Sequence, residues 1–118
     1  MKKILIAEDN DSNYVLMSYI LKKYYQYERA RNGQEAVELV DKNAYDLVLM
    51  DIKMPVMDGL EASKAIKEKH PDLPIIALTA NAFDSDRQLA VDAGCVDFLA
   101  KPVSSEACLE TIKNLIGE

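Results

Sequence analysis

The chain has 118 residues, of which 49% are hydrophobic and 29% charged, and its formal net charge is −6. That length fits one ordinary domain with enough apolar residues for a real core. The acidic balance argues against a nucleic-acid-binding face, and no apolar run approaches the roughly 18–20 residues needed to span a bilayer. The start, Met1-Lys2-Lys3-Ile4, lacks the length and cleavage pattern of a secretory signal, which points to a cytoplasmic protein.

Ile4-Leu5-Ile6-Ala7 is a short continuous apolar run, the pattern of a strand buried on both faces. It ends on Glu8-Asp9-Asn10-Asp11, and Ser12 or Asp11 is placed to cap the helix that follows. Met17, Ile20, Leu21 and Tyr24 share one helical stripe and form its core-facing side. Val15, Leu16 and Tyr19 lie largely outside that stripe and either finish the core, are scattered exposed residues, or form a docking patch for a partner helix. Tyr27-Glu28-Arg29-Ala30 is a weak, partly charged strand of the kind found at a sheet edge. Asn32 with Glu35 is a capping-box variant, and the helix behind it turns Ala36, Leu39 and Val40 inward.

Leu47 to Met50 is a second buried run, ending on Asp51 where the strand leaves the core. Pro55 and Gly59 punctuate the loop beyond it, and Asp58 with Glu61 repeats the capping pattern for a helix burying Ala62, Ala65 and Ile66. His70, the only histidine, closes that helix before Pro71 and reads as a solvated surface residue. Pro74 to Leu78 is a further buried strand, ending at Thr79. Asp84 or Ser85 starts a helix carrying Leu89, Ala90 and Val91 that stops at Gly94. Val96 to Ala100 is the last strand and runs into Lys101-Pro102; Ser104 or Ser105 then caps a helix with Leu109, Ile112 and Ile116 inward. Cys95 and Cys108 lack metal-like spacing and read as small buried apolar residues in a reducing compartment.

Strand and helix alternate five times, which implies an α/β domain with a parallel sheet and helices on both faces. Ligands of such sheets bind beyond the carboxyl ends of the strands. Glu8, Asp9, Asp51, Thr79 and Lys101 all stand at those ends. Clustered carboxylates stay ionised at low cost only with a cation among them, and an all-oxygen set selects a hard ion such as Mg²⁺. An aspartate beside such an ion can act as a nucleophile and form an aspartyl phosphate, with Thr79 and Lys101 holding the other phosphoryl oxygens.

Two rivals fit less well. A flavin or nucleotide site needs a glycine- or hydroxyl-rich turn after the first strand, where this chain has acids, and no dinucleotide or P-loop motif occurs. Phosphatases with an aspartyl nucleophile resemble a DxDx[TV] pattern with a second Asp as acid/base, but Lys53 occupies that position. A slow, self-limited phosphoacceptor fits better than a turnover enzyme.

The Glu8-Asp9-Asn10 turn, Leu49 through Gly59, Ala77-Leu78-Thr79-Ala80, and Phe98-Leu99-Ala100-Lys101-Pro102 together resemble the receiver domain of two-component response regulators. The resemblance covers essentially the whole chain, one receiver domain over 1–118. It implies a CheY-like, flavodoxin-like (βα)5 sheet in strand order 2-1-3-4-5. It implies that Asp51 accepts a phosphoryl group from a phosphohistidine of a sensor histidine kinase or histidine phosphotransfer protein. Glu8 and Asp9 would bind Mg²⁺ with Asp51 and the backbone carbonyl of Lys53. Thr79 would swing its hydroxyl to the phosphoryl group, Phe98 would rotate inward behind it, and Lys101 would pair with the phosphoryl oxygens. The peptide before Pro102 is often cis in the family. Phe98 departs from the commoner tyrosine and has no hydroxyl to offer a partner. Glu8-Asp9-Asn10 with Ala80-Asn81-Ala82 looks most like receivers of hybrid sensor kinases. Lys53 and Asn81 would flank the phosphoryl group and tune its lifetime, and the downstream target is not specified.

Overall fold

The computed structural model describes residues 1–54, 57–80 and 84–117. Ten elements alternate along the chain: β1 (Lys3–Ala7), α1 (Asp11–Leu21), β2 (Gln26–Ala30), α2 (Gly33–Lys42), β3 (Leu47–Asp51), α3 (Gly59–Lys69), β4 (Ile75–Thr79), α4 (Asp84–Asp92), β5 (Asp97–Ala100) and α5 (Ser105–Ile116). The strands form one sheet in the order β2-β1-β3-β4-β5, every pairing parallel. The partly charged strand β2 is indeed an edge, and β1 and β3, which carry the apolar runs Ile4 to Ala7 and Leu47 to Met50, sit inside together with β4.

Alternation along each strand divides the core between the two faces of the sheet. Ile4, Ile6, Leu47 and Leu49 pack with Met17 and Leu21 of α1 and Cys108 and Ile112 of α5. Leu5, Val48 and Met50 pack with Val40 of α2, Ile66 of α3 and Ala90 of α4. Leu47 to Met50 are at most 1% exposed. Each such side chain contributes about 1.5–3 kcal/mol through removal from water. This fixes the level at which β3 ends and so where Asp51 emerges.

Several local expectations need correction. The cap of α1 is Asn10, whose side chain accepts from the Asn13 N–H, and neither Ser12 nor Asp11. The α1 helix ends at Leu21, so helical spacing no longer applies at Tyr24, which is 55% exposed, and Tyr25 is the ring that is buried. Leu39, Ala65, Leu109 and Ile116 are only partly buried. Of the apolar residues carried by α4, Ala90 is buried, whereas Leu89 and Val91 are exposed. His70 is not simply solvated: its Nε2 lies 2.9 Å from Asp41 Oδ1. The caps Asn32, Asp58 and Ser104 are as the sequence indicates, and both cysteines are free and buried. Pro55, Val56, Asn81 and Ala82, which belong to the family motifs, lie outside the described residues.

Candidate functional site

The strand registers bring the chemistry to one edge. Ala7 stands beside Met50, Asp51 beside Leu78 and Thr79 beside Ala100, so the residues at and just beyond these positions share the carboxyl end of the sheet. The loops are tied to it by backbone bonds: Glu8 N–H to the Ala30 carbonyl at 3.0 Å, Ile52 N–H to Leu78 at 3.1 Å and Lys101 N–H to Thr79 at 2.7 Å. The Lys101-Pro102 peptide is cis.

Glu8, Asp9 and Asp51 each offer a carboxylate oxygen, and these oxygens all lie within 4.8 Å of one another. Glu8 and Asp51 are buried at 1% and 5% exposure, whereas Asp9 is exposed. The Lys101 ammonium sits between the buried pair, 2.9 Å from Glu8 Oε1 and 3.1 Å from Asp51 Oδ1. Burial, followed by the contact with the Asp51 carboxylate, raises the Glu8 carboxyl above its ordinary value, and Lys101 offsets only part of this. Burial works against the charged form of Lys101, but Glu8 and Asp51 together outweigh it and hold the ammonium above its ordinary value.

Lys101 alone leaves the cluster short of positive charge. Three carboxylates against one ammonium give a net −2 if all are ionised, which one divalent cation would cancel. Glu8 Oε1 also meets Lys101 as an ion contact only, with no well-directed hydrogen bond among the described residues. A buried oxygen in that condition suits a metal ion, and an all-oxygen donor set suits Mg²⁺.

Asp51, Lys53, Thr79 and Lys101 line one cavity of about 100 Å³, together with Ile52, Leu78 and Ala80. That is room for an ion, a few waters and a phosphoryl group, and far below the roughly 300–1,000 Å³ of a small-molecule or cofactor pocket. The size weighs against the flavin and nucleotide alternatives. The Lys53 N–H points back to Asp51 Oδ1 at 3.3 Å. Thr79, 6% exposed, ends β4 on the cavity wall. Phe98 is not brought into this cavity. It lines a separate groove between α4 and β5, with the Arg87 guanidinium 4.7 Å from its ring centroid.

The response regulator receiver domain profile matches residues 4–113. The chain belongs to that family. Hybrid signal transduction histidine kinase B of Dictyostelium discoideum is 44% identical over 128 residues, which cover 96% of this receiver and 6% of that protein. The receiver thus spans only a small part of the kinase's length. Among solved structures, the receiver domain of sensor histidine kinase PA1611 from Pseudomonas aeruginosa superimposes with a TM-score of 0.92 at 35% identity, covering 99% of this chain and 98% of that one. Its active-site cleft coordinates a magnesium ion. The receiver domain of Saccharomyces cerevisiae Ssk1, co-crystallised with the histidine phosphotransfer protein Ypd1, also reaches 0.92, at 33% identity, covering 98% of this chain and 88% of that one.

Sequence reasoning passed over two features of the receiver's site. Arg29, read only as a charge in an edge strand, reaches across to the acidic turn. Gly59, read as punctuation, presses against the end of β3, where its N–H donates to the Ile52 carbonyl at 2.8 Å. Arg29 comes beside the acidic turn only through the pairing of β1 with β2, where Ile6 stands opposite it.

Proposed function

We propose that this domain, over 1–118, accepts a phosphoryl group on Asp51 from the phosphohistidine of a sensor kinase or histidine phosphotransfer protein. The observation that carries the reading is the buried Asp51 carboxylate, clustered with Glu8 and Asp9 and held 3.1 Å from the Lys101 ammonium. An Asp51 oxygen attacks phosphorus, the bond from phosphorus to the imidazole nitrogen breaks, and that nitrogen keeps the electron pair. Glu8, Asp9, Asp51 and the backbone carbonyl of Lys53 would hold Mg²⁺, which supplies neutralisation of phosphoryl charge. Lys101 exchanges part of its contact with Asp51 and Glu8 for a phosphoryl oxygen, and Thr79 turns its hydroxyl toward the same group.

Phosphorylation adds up to about two negative charges at the mouth, and the loops after β3 and β4 follow. Inward rotation of Phe98 would then part it from Arg87 and reshape the face built by α4, β5 and α5. Dephosphorylation is slow and self-catalysed: no second acid stands where an aspartyl phosphatase carries its acid/base, since Lys53 occupies the position. Lys53 and Asn81 tune its rate by controlling water entry. No helix of the described residues is long and apolar enough to cross a membrane. The two free, buried thiols fit a reducing compartment, and we place the protein in the cytoplasm.

The test is labelling by acetyl phosphate with Mg²⁺, read by intact mass. The parent gains one phosphoryl group and Asp51→Asn gains none. Full labelling of that variant overturns the acceptor assignment. Repeated turnover of a generic phosphate ester by the parent would favour the phosphatase reading instead.

A further inference from the structure

We propose that Arg29 is a positioning residue for the divalent-cation site, gripping the acidic turn at both ends. Its Nε donates to the Glu8 carbonyl at 3.1 Å, and its Nη1 lies 2.9 Å from Asp11 Oδ1. The back of the guanidinium rests on Tyr14, with Cζ 4.5 Å from the ring centroid, and Tyr14 in turn meets Tyr27 edge-on. Only 12% of the arginine side chain is exposed, against 80% for Asp11. Its Nη2 is buried without a partner among the described residues. An arginine this enclosed, with the N–H groups of Nη2 left unmet, costs desolvation energy that an ordinary surface pair does not.

The contact with Glu8 explains what the cost achieves. The Glu8 carbonyl belongs to the peptide unit that joins Glu8 to Asp9. Fixing that plane fixes the backbone from which both carboxylates spring, one buried and one exposed. The Asp11 contact anchors the far end of the turn at the first residue of α1, next to the Asn10 cap. A lysine at 29 would bring the same charge but not the planar fork that serves two acceptors while stacked on an aromatic ring. Arg31 does not duplicate the grip, being 66% exposed and 3.7 Å from the same Asp11 oxygen.

Electrostatics and positioning predict opposite signs, which makes the inference testable. A guanidinium near a dication repels it, so if Arg29 acted only as a charge, Arg29→Gln would tighten Mg²⁺ binding and Arg29→Lys would leave it unchanged. If it positions the turn, both variants bind Mg²⁺ more weakly, by about tenfold, as for other outer-shell partners of metal ligands. The inference rests on the magnesium reading, so calorimetric titration of the parent with MgCl₂, without a phosphodonor, comes first. No uptake by the parent would remove the site itself. Uptake by the parent with unchanged or tighter binding in Arg29→Gln would remove only the grip. Melting of each metal-free variant is measured alongside. A lowered melting temperature with parental Mg²⁺ affinity assigns Arg29 a purely structural role and overturns the proposal. If Arg29→Gln does not fold, Arg29→Lys decides by the same affinity.

Discussion

Lys101 carries the electrostatics of the metal-free site, standing between two carboxylates that are nearly out of water. Removing it leaves them facing each other without compensation. Glu8 can relieve the repulsion by taking a proton, and its carboxyl already lies above the ordinary glutamate value, first through burial and then through Asp51. A folded-state value above the unfolded one means that the folded protein holds the proton more tightly. That contribution to stability is complete below the ordinary glutamate range and is lost as pH rises through the raised value. Lys101→Met pushes Glu8 further in the same direction. We therefore expect the metal-free variant to lose about 2–3 kcal/mol near neutral pH, somewhat less than a wholly buried pair because the lysine keeps some exposure. The loss should shrink on going from neutral to mildly acidic pH, as Glu8 takes up a proton, and Mg²⁺ should restore part of it at neutral pH. Urea unfolding at the two pH values, with and without MgCl₂, reads this directly. A deficit that stays constant or grows in acid would mean that the lysine acts through packing.

At the scale of elements, the site depends on how closely α3 approaches β3. A side chain at Gly59 would collide with the Asp51 carbonyl oxygen and the Ile52 backbone. Because backbone cannot yield as a flexible side chain does, Gly59→Ala should cost about 2 kcal/mol by overpacking and shift Asp51 enough to slow acetyl phosphate labelling. Parental stability and labelling would show that the loop absorbs the methyl. Helix α1 offers the complementary experiment. Val15, Leu16 and Tyr19 are 60%, 40% and 68% exposed, and Leu16 borders the cleft shared by Glu8, Lys101 and Pro102. A protein donor must lay its phosphohistidine on that mouth, so Leu16→Asp with Tyr19→Asp should slow transfer from a histidine phosphotransfer domain by about tenfold, the loss of one modest anchor. Labelling by acetyl phosphate should be unaffected, and an equal drop in both would assign the effect to the site. The strands were legible because Leu47 to Met50 and Ile4 to Ala7 are uninterrupted apolar runs whose ends the sheet aligns. The caps Asn32, Asp58 and Ser104 were legible because capping is local. Tyr24 and Tyr25 were not, since α1 ends at Leu21 and helical spacing no longer assigns faces in the turn that follows. The reach of Arg29 was not, because it depends on the register between β1 and β2 and no spacing within one segment encodes it.

For the molecule as a whole, the residues just beyond β1, at the end of β3 and just beyond β5 are brought together at this cluster. An ion that binds the assembled cluster and not the unfolded chain must stabilise the entire fold, by about 1.4 kcal/mol at ten times its dissociation constant. For a domain of this size that corresponds to a rise in melting temperature of about 5 °C. Asp9 gives the cleanest control. It is exposed and makes no ion pair with Lys101, so Asp9→Asn removes the carboxylate proposed as a ligand without disturbing the buried pair. The metal-free variant should melt within about 1 °C of the parent, as surface substitutions do, while its Mg²⁺-induced rise should fall below about half of the parental one under the same conditions. A variant that keeps the full rise would show that Asp9 is not a ligand, and a parent that shows no rise would show that the three carboxylates do not hold the ion at all.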